Sequence, residues 1–179
     1  MISSEKTQNA ILIVTILVAL VSGISLASNA GYYSGSYALA QYIEVDLVEI
    51  RVARLDPTNT SMNPGVFFTL NFQTPNETEG NARLQYITLS FLLNAERISL
   101  PAFSHSIPYA EQPLYGGYDM NYTLSASIMD LDEKQILYNA LTDDAWIWSV
   151  TVDYFYAVFD SDSTTQRTIS FSYDGVRLT

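Results

Sequence analysis

The chain contains no cysteine, which excludes disulfide bonds, thiolate metal sites and cysteine nucleophiles. Basic residues are also scarce, since 8 Lys and Arg stand against 19 Asp and Glu, for a formal net charge of -11. A phosphate-binding surface needs clustered Lys and Arg, so this balance argues against a nucleic acid partner. It argues equally against a surface that binds anionic lipid headgroups.

Motifs of catalysis are missing as well. His105 is the only histidine, so a cluster of histidine metal ligands cannot form, and no G-x-S-x-G element accompanies a serine nucleophile. The glycines at Gly116 and Gly117 lack the spacing and the following helix of a phosphate-binding loop. We therefore expect a protein that is not an enzyme and has no cofactor and no metal.

Acidic residues form three small groups, and calcium prefers several such oxygens. The EF-hand loop with its central glycine is absent, and we favour solvated turns and helix caps over a calcium site. The groups are Asp130, Asp132 and Glu133, then Asp143 and Asp144, then Asp160 and Asp162.

A long uncharged run lies near the N-terminus. Ala10 to Ala27 reads AILIVTILVALVSGISLA, and as a helix these residues would span about 27 Å, close to the hydrocarbon thickness of a bilayer. Lys6 precedes the run, and the first charges after it are Glu44 and Asp46, a weak bias that places the N-terminus in the cytoplasm. The sequence thus predicts a transmembrane helix and juxtamembrane segment over 1–40, and an extracytoplasmic domain over 41–179.

The alternative is a signal peptide. Ser28 and Ala30 occupy the minus-three and minus-one positions of an A-x-A-like cleavage site before Gly31. Cleavage there would release the domain as a secreted stress-protection or binding module.

Small and aromatic residues mark the outer end of the run. Ala19, Gly23 and Ala27 recur at intervals of four, a spacing that lets another helix pack closely, although Gly and Ala are common in membrane helices anyway. Four tyrosines follow, and tyrosine suits the headgroup region because its ring is buried while its hydroxyl stays wet. We interpret them as a membrane-interface collar, which favours a retained anchor: Tyr32, Tyr33, Tyr37 and Tyr42.

Beyond Gln41 the dominant hydrophobic period is two, which indicates half-buried strands. The segment GVFFTLNFQ is typical, with Val66, Phe68, Leu70 and Phe72 on one face. In IEVDLVEIRVA the apolar face is Ile43, Val45 and Leu47, then changes to Val48, Ile50 and Val52, which predicts a β-bulge near Leu47.

The later segments predict more strands and one helix. RLQYITLSFLLN should turn through Asn94 to Arg97 into a hairpin, and Pro101 to Gly117 should form a loop. The tyrosines of that region, among them Tyr109 and Tyr115, fit either a contact surface or a loop folded back on the sandwich edge. MDLDEKQILYNAL predicts a short helix capped by Asp130 or Asp132.

Six or seven such strands with one short helix predict an antiparallel β-sandwich, preceded by the transmembrane helix. The order of elements resembles the LEA14 and WHy family of extracellular or stress-related β-sandwiches, across roughly Ile43 to Leu178. The resemblance rests on NPGVFFTLNFQTPNE, LQYITLSFLLNAERI, LYGGYDMNYTLSASI, AWIWSVTVDYFYAVF and ISFSYDGVRL. Family members often carry Asn-Pro after the first of these strands, whereas here Thr74-Pro75 follows it and Asn63-Pro64 precedes it.

Three sequons make N-glycosylation possible on an extracytoplasmic domain, at Asn59, Asn76 and Asn121. Together these patterns predict a membrane-anchored structural or interaction subunit of a membrane or cell-envelope assembly. Its partners would be the lipid bilayer and other subunits or further copies of itself. A second hypothesis is a surface filament subunit, pilin- or archaellin-like, with the apolar helix in the fibre core.

Overall fold

A computed structural model describes residues 5–76, 78–98, 103–159 and 163–179. Two helices, ten strands and one 3-10 turn follow one another in these ranges. The helices are α1 (Glu5–Gln41) and α2 (Leu131–Asp143), and the 3-10 turn is Tyr109–Glu111. The strands are β1 (Glu44–Ala53), β2 (Gly65–Gln73), β3 (Ala82–Leu93), β4 (Glu96–Arg97), β5 (Phe103–Ser106), β6 (Pro113–Leu114), β7 (Asp119–Ser127), β8 (Ile147–Val158), β9 (Thr165–Asp174) and β10 (Arg177–Leu178).

The strands form two sheets that pack as a β-sandwich, which confirms the predicted fold class. The first sheet has the order β10-β1-β2-β7, and the second places β3, β8 and β9 side by side. The alternating apolar residues of β2, β3, β7 and β8 point between the sheets. At the centre of this core, the Phe68 ring meets the rings of Phe91, Phe103 and Trp148 at centroid distances of 4.8, 5.5 and 5.8 Å.

The predicted bulge in β1 is present. The register between β1 and β2 shifts between Leu47 and Glu49, so Val48 is extra and 52% exposed. The bulge returns Ile50 and Val52 to the same buried side as Ile43 and Val45, rather than to the opposite face. One extra residue thus keeps a ten-residue strand facing the core along its length.

The segment predicted as a loop over 101–117 contains short strands. These are β5 and β6, and together with β4, which precedes the segment, they pair with the edge of β3 that β8 leaves free. The hairpin turn that leads into β4 is the two-residue loop Asn94-Ala95, and both residues have positive φ, as a type I′ turn requires. The sequence did not predict β5 and β6 because two- and four-residue strands carry too little alternation to detect.

The short helix predicted over MDLDEKQILYNAL is present as α2. Asp130 is the N-cap, and its carboxylate accepts hydrogen bonds from the backbone N–H groups of Asp132 and Glu133. Leu137 is buried, while Ile136 and Leu141 pack against the core. Lys134 is also buried, and its Nζ donates to the Thr60 carbonyl at 2.9 Å, which ties the loop before β2 to this helix.

Candidate functional site: the joint between the apolar helix and the sandwich

The helix α1 is continuous for 37 residues, about 55 Å, from Glu5 to Gln41. It therefore runs well past Ala27, where the apolar run ends, and includes the whole segment SNAGYYSGSYALAQ. Its large apolar side chains between Ile11 and Leu26 are all exposed. By length and composition this helix could cross a membrane, and a signal sequence near the N-terminus can have the same length and composition.

The last turns of α1 are built into the sandwich. Ser36, Leu39 and Ala40 are almost completely buried, and Leu39 and Ala40 belong to the same apolar core as β2 and β8. Only two residues separate the helix from β1. The apolar helix is thus fixed to the domain rather than joined to it by a flexible linker.

Two glycines allow the helix to approach the loop before β3 at backbone distance. A Cβ on Gly35 would lie 1.7 Å from the carbonyl oxygen of Glu79, and a Cβ on Gly80 would lie 2.4 Å from the amide nitrogen of Ser36. Both separations are far below van der Waals contact, so only glycine fits at either position. By contrast, a Cβ on Gly23 or Gly31 would have nothing within 4 Å.

A buried hydroxyl pairs the two segments at this contact. Ser36 Oγ accepts a hydrogen bond from the Asn81 N–H at 2.7 Å and donates to the Tyr32 carbonyl at 2.8 Å. The Asn81 carbonyl in turn accepts from the Phe159 N–H at 2.8 Å. Since buried backbone groups need partners, these bonds hold the helix, the loop before β3 and the end of β8 together. We call this contact between the last turns of α1 and the sandwich the joint.

An aromatic cluster surrounds the outer side of the joint. The ring of Phe159 lies 6.3 Å from Tyr32, 5.0 Å from Tyr33 and 5.5 Å from Tyr37, measured between centroids. The contacts with Tyr33 and Tyr37 are edge-to-face, the arrangement that aromatic quadrupoles favour. Phe159 has φ of 61°, which is uncommon for a bulky residue and is held here by its neighbours. The tyrosines remain about half exposed, so the cluster also presents a surface.

Arg167 of β9 closes the far end of the joint. Its guanidinium donates to the carbonyl of Gln41, the last residue of α1, and thereby satisfies one carbonyl that the helix leaves without an internal partner. Beside it, Tyr154 is fully buried and lines a cleft with Tyr42 and Glu44. Burial raises the pKa of the Tyr154 hydroxyl, while the positive charge of Arg167 lowers it by a smaller amount.

The small-residue stripe lies on the exposed part of α1. Ala19, Gly23 and Ala27 are all exposed, and Gly23 is open on all sides. The bond between Ala30 and Gly31 is also exposed, and it lies just before Tyr32, which contacts Phe159 of the sandwich. The helix-packing and cleavage predictions therefore stay predictions.

The three sequons differ in their surroundings. Asn59 is exposed in a turn where its N–H donates to the Asp56 carbonyl, and Asn76 is exposed in the loop after β2. Asn121 is exposed on β7, but its Oδ1 accepts from the buried Asn71 side chain at 3.0 Å. The first two sequons are thus the more accessible in the folded chain.

The other sequence candidates do not converge on a site. His105 is partly buried on β5, and its ring lies tilted against the Tyr122 ring at a centroid distance of 5.5 Å. In the described ranges, no group of three or more His, Asp or Glu side chains could hold a metal ion. Asp130 caps α2 and Asp144 ends it in the left-handed conformation. Asp160 and Asp162 lie outside the described residues.

The tyrosine-rich loop divides into two parts. Tyr118 and Tyr122 are buried, and their hydroxyls are 2.5 Å apart, while Tyr109 and Tyr115 are exposed. Burial raises the pKa of both Tyr118 and Tyr122. This loop is folded back on the sandwich with only its tips free.

Sequence reasoning missed Phe159, Gly80 and Arg167 as parts of the joint. None carries a local signal, since each is an ordinary residue in a strand end or loop. The only usable hint was the row of small residues that continues from Gly23 through Ala27 to Gly31 and Gly35.

No protein-family model matches the chain, and no curated protein is similar to it in sequence. Among solved structures, it is similar to the crystal structure of the ApaA protein from Bordetella pertussis, at 12% identity and a TM-score of 0.45. The match covers 76% of this chain and 95% of that chain. A likeness of this size carries no argument about function. Of the features that the LEA14 and WHy resemblance implied, the structure confirms a mainly β fold that follows an N-terminal apolar helix.

Proposed function

We propose that this protein is a non-catalytic, membrane-anchored β-sandwich that stands outside the cytoplasm and acts as a structural or interaction subunit of an envelope assembly. The observation that carries the proposal is the division of α1. Its apolar part is bare, while its last turns are part of the sandwich core. Exposed apolar side chains on this scale need lipid or other protein to cover them.

Partners of this subunit would include the bilayer and either other envelope proteins or further copies of the chain. The acidic balance and the shortage of Lys and Arg make nucleic acid an unsuitable partner. The bare face with Gly23 would let a partner helix come close within the membrane.

Fractionation and crosslinking of native membranes test this proposal. We expect the full-length chain to stay with membranes after alkaline carbonate washing, and to crosslink to a neighbour through a single cysteine placed at Gly23. Val14→Cys, on another part of the same helix, is the matched control. A soluble chain whose N-terminus begins at Gly31 would overturn the anchor, and a monomer with no crosslink at Gly23 would overturn the assembly.

A second function, a filament subunit, is favoured by the same projecting helix. In a fibre core, the exposed side chains from Ile11 to Leu26 would pack against the helices of neighbouring copies. Electron microscopy of sheared cell-surface material separates the two functions. Filaments that contain the chain support this one, whereas chain found only in membrane vesicles supports the anchor.

A further inference from the structure

Because α1 has no break between its apolar part and its docked end, the height of the sandwich above the apolar run is fixed by the helix itself. Each helical residue rises 1.5 Å, and the headgroup layer extends about 5–8 Å beyond the hydrocarbon on each side. Tyr32 and Tyr33 lie about 8–9 Å past Ala27 along the axis. Helical side chains lean toward the N-terminus, so these two rings come back toward the headgroup layer.

The sandwich reaches down to the same level. Phe159, at the end of β8, packs on Tyr33 with a centroid distance of 5.0 Å. Thr78 and Glu79, from the loop before β3, line an open groove together with Ala27 and Ser28 of the helix. Parts of two sandwich segments thus lie beside the outer end of the apolar run.

We infer that the sandwich itself rests on the lipid surface, through a lipid-contact patch made of Tyr32, Tyr33 and Phe159. This inference rests on the proposed membrane anchor. The patch is aromatic: its two tyrosines are about half exposed and Phe159 is partly exposed, which suits a layer where an apolar ring and a wet hydroxyl are both satisfied. Glu79 lines the groove beside Tyr32, Asp160 follows Phe159 in the sequence, and the patch itself contains no Lys or Arg, so the partner is a zwitterionic interface rather than an anionic one.

Only two of the four predicted collar tyrosines lie at the level of the headgroup layer. On a helix perpendicular to the membrane, Tyr37 lies about 15 Å and Tyr42 about 22 Å past Ala27, beyond the headgroup layer. Tyr37 then serves the joint by packing on Phe159 at 5.5 Å, and Tyr42 belongs to the cleft beside Arg167. Phe159, which the sequence pattern of tyrosines could not indicate, completes the lipid-contact patch together with Tyr32 and Tyr33.

Depth-dependent fluorescence quenching tests the patch on the full chain. The chain has no cysteine, so a fluorophore can be attached at one chosen residue in phosphatidylcholine nanodiscs. The variants are Phe159→Cys for the patch, Val18→Cys for the middle of the apolar run and Ser172→Cys for an exposed site on β9. Nitroxide lipids labelled at the headgroup or deep in the acyl chain serve as quenchers.

We expect Phe159→Cys to lose more emission with the headgroup nitroxide, Val18→Cys to lose more with the deep one, and Ser172→Cys to lose little with either. Thr78→Cys repeats the test with Phe159 in place, in case that substitution disturbs the fold. Quenching at Val18 with none at Phe159 and Thr78 would overturn the inference and leave the anchor standing. Absence of quenching at all sites would overturn the anchor as well.

Discussion

At the residue scale, the joint depends on two glycines that serve packing rather than flexibility. Gly35 and Gly80 face each other's backbone segments, so each removes a Cβ that would collide with main-chain atoms. Main-chain atoms cannot rotate away as the end of a long side chain can. A change at either position must therefore move a whole segment.

The first prediction compares two glycines of α1, with the exposed Gly31 as the control for Gly35 at the joint. Gly35→Ala should loosen the joint, because overpacking a tight contact costs about 1–3 kcal/mol. Gly31→Ala should leave it intact and stabilise the helix by up to about 1 kcal/mol, since its Cβ meets open space. Hydrogen exchange of the amides of Asn81 and Phe159 measures the joint. Equal protection in both variants would contradict the packing role of Gly35.

A second prediction concerns the buried tyrosines. Burial raises the pKa of Tyr118, Tyr122 and Tyr154 above the usual value near 10. A raised folded-state pKa means that the folded chain holds its protons more tightly than the unfolded chain. The stability from these groups is therefore complete below pH about 10 and is lost as pH rises above it.

Denaturant unfolding between pH about 9 and about 12, with absorbance near 295 nm, measures this loss of stability above the tyrosine pKa. We expect Tyr118, Tyr122 and Tyr154 to ionise only as the chain unfolds, because burial raises the pKa of each. Tyr154→Phe keeps the ring and removes one ionisable group, so stability should fall less steeply with pH. A pH dependence of stability that is unchanged in Tyr154→Phe would contradict the prediction.

At the element scale, α1 has two different surroundings along one helix. Its apolar part would be stable only where something covers its side chains, whereas its last turns are covered by the sandwich. Helices in water gain most of their stability from such packing rather than from propensity. The docked end therefore belongs energetically to the sandwich, although it continues the apolar helix.

The third prediction compares two leucines of α1. Leu39→Ala should destabilise the sandwich by about 2–5 kcal/mol, because Leu39 is 0% exposed and its loss leaves a cavity. Leu26→Ala should leave the unfolding of the sandwich nearly unchanged, because Leu26 is 72% exposed and far from the core. Chemical denaturation in detergent, followed by tryptophan fluorescence, reports on the core through Trp148. Similar losses in both variants would show that the docked end is not part of the core.

At the scale of the whole molecule, removal of the exposed part of α1 and removal of the whole of α1 should have different effects on the stability of the sandwich. A chain that begins at Gly31 keeps Leu39 and Ala40 in the core, and should unfold at nearly the same denaturant concentration as the full chain. A chain that begins at Glu44 loses both residues and Ile43, and should be less stable by about 3–6 kcal/mol. Denaturation of the two truncated chains side by side measures the difference, and equal stability would contradict it.

Long strands, the bulge and α2 could all be predicted from the sequence, because each is encoded by neighbours. Alternation in GVFFTLNFQ places Phe68 and Phe72 inside without knowledge of the rest of the chain, and Asp130 caps a helix through N–H groups two and three residues away. The apolar run likewise predicts the N-terminal helix. Each of these features follows from the composition of the chain or from a pattern that repeats every few residues.

The joint was decided only by the tertiary structure. Ser36 meets Asn81 across 45 positions, and Arg167 meets Gln41 across 126, so no window of sequence contains either contact. The segment SNAGYYSGSYALAQ is rich in Gly, Ser and Asn, which form helices poorly alone, and it is helical because the sandwich packs against it. The residues specify an apolar helix and a sandwich, and packing between distant segments makes them one body.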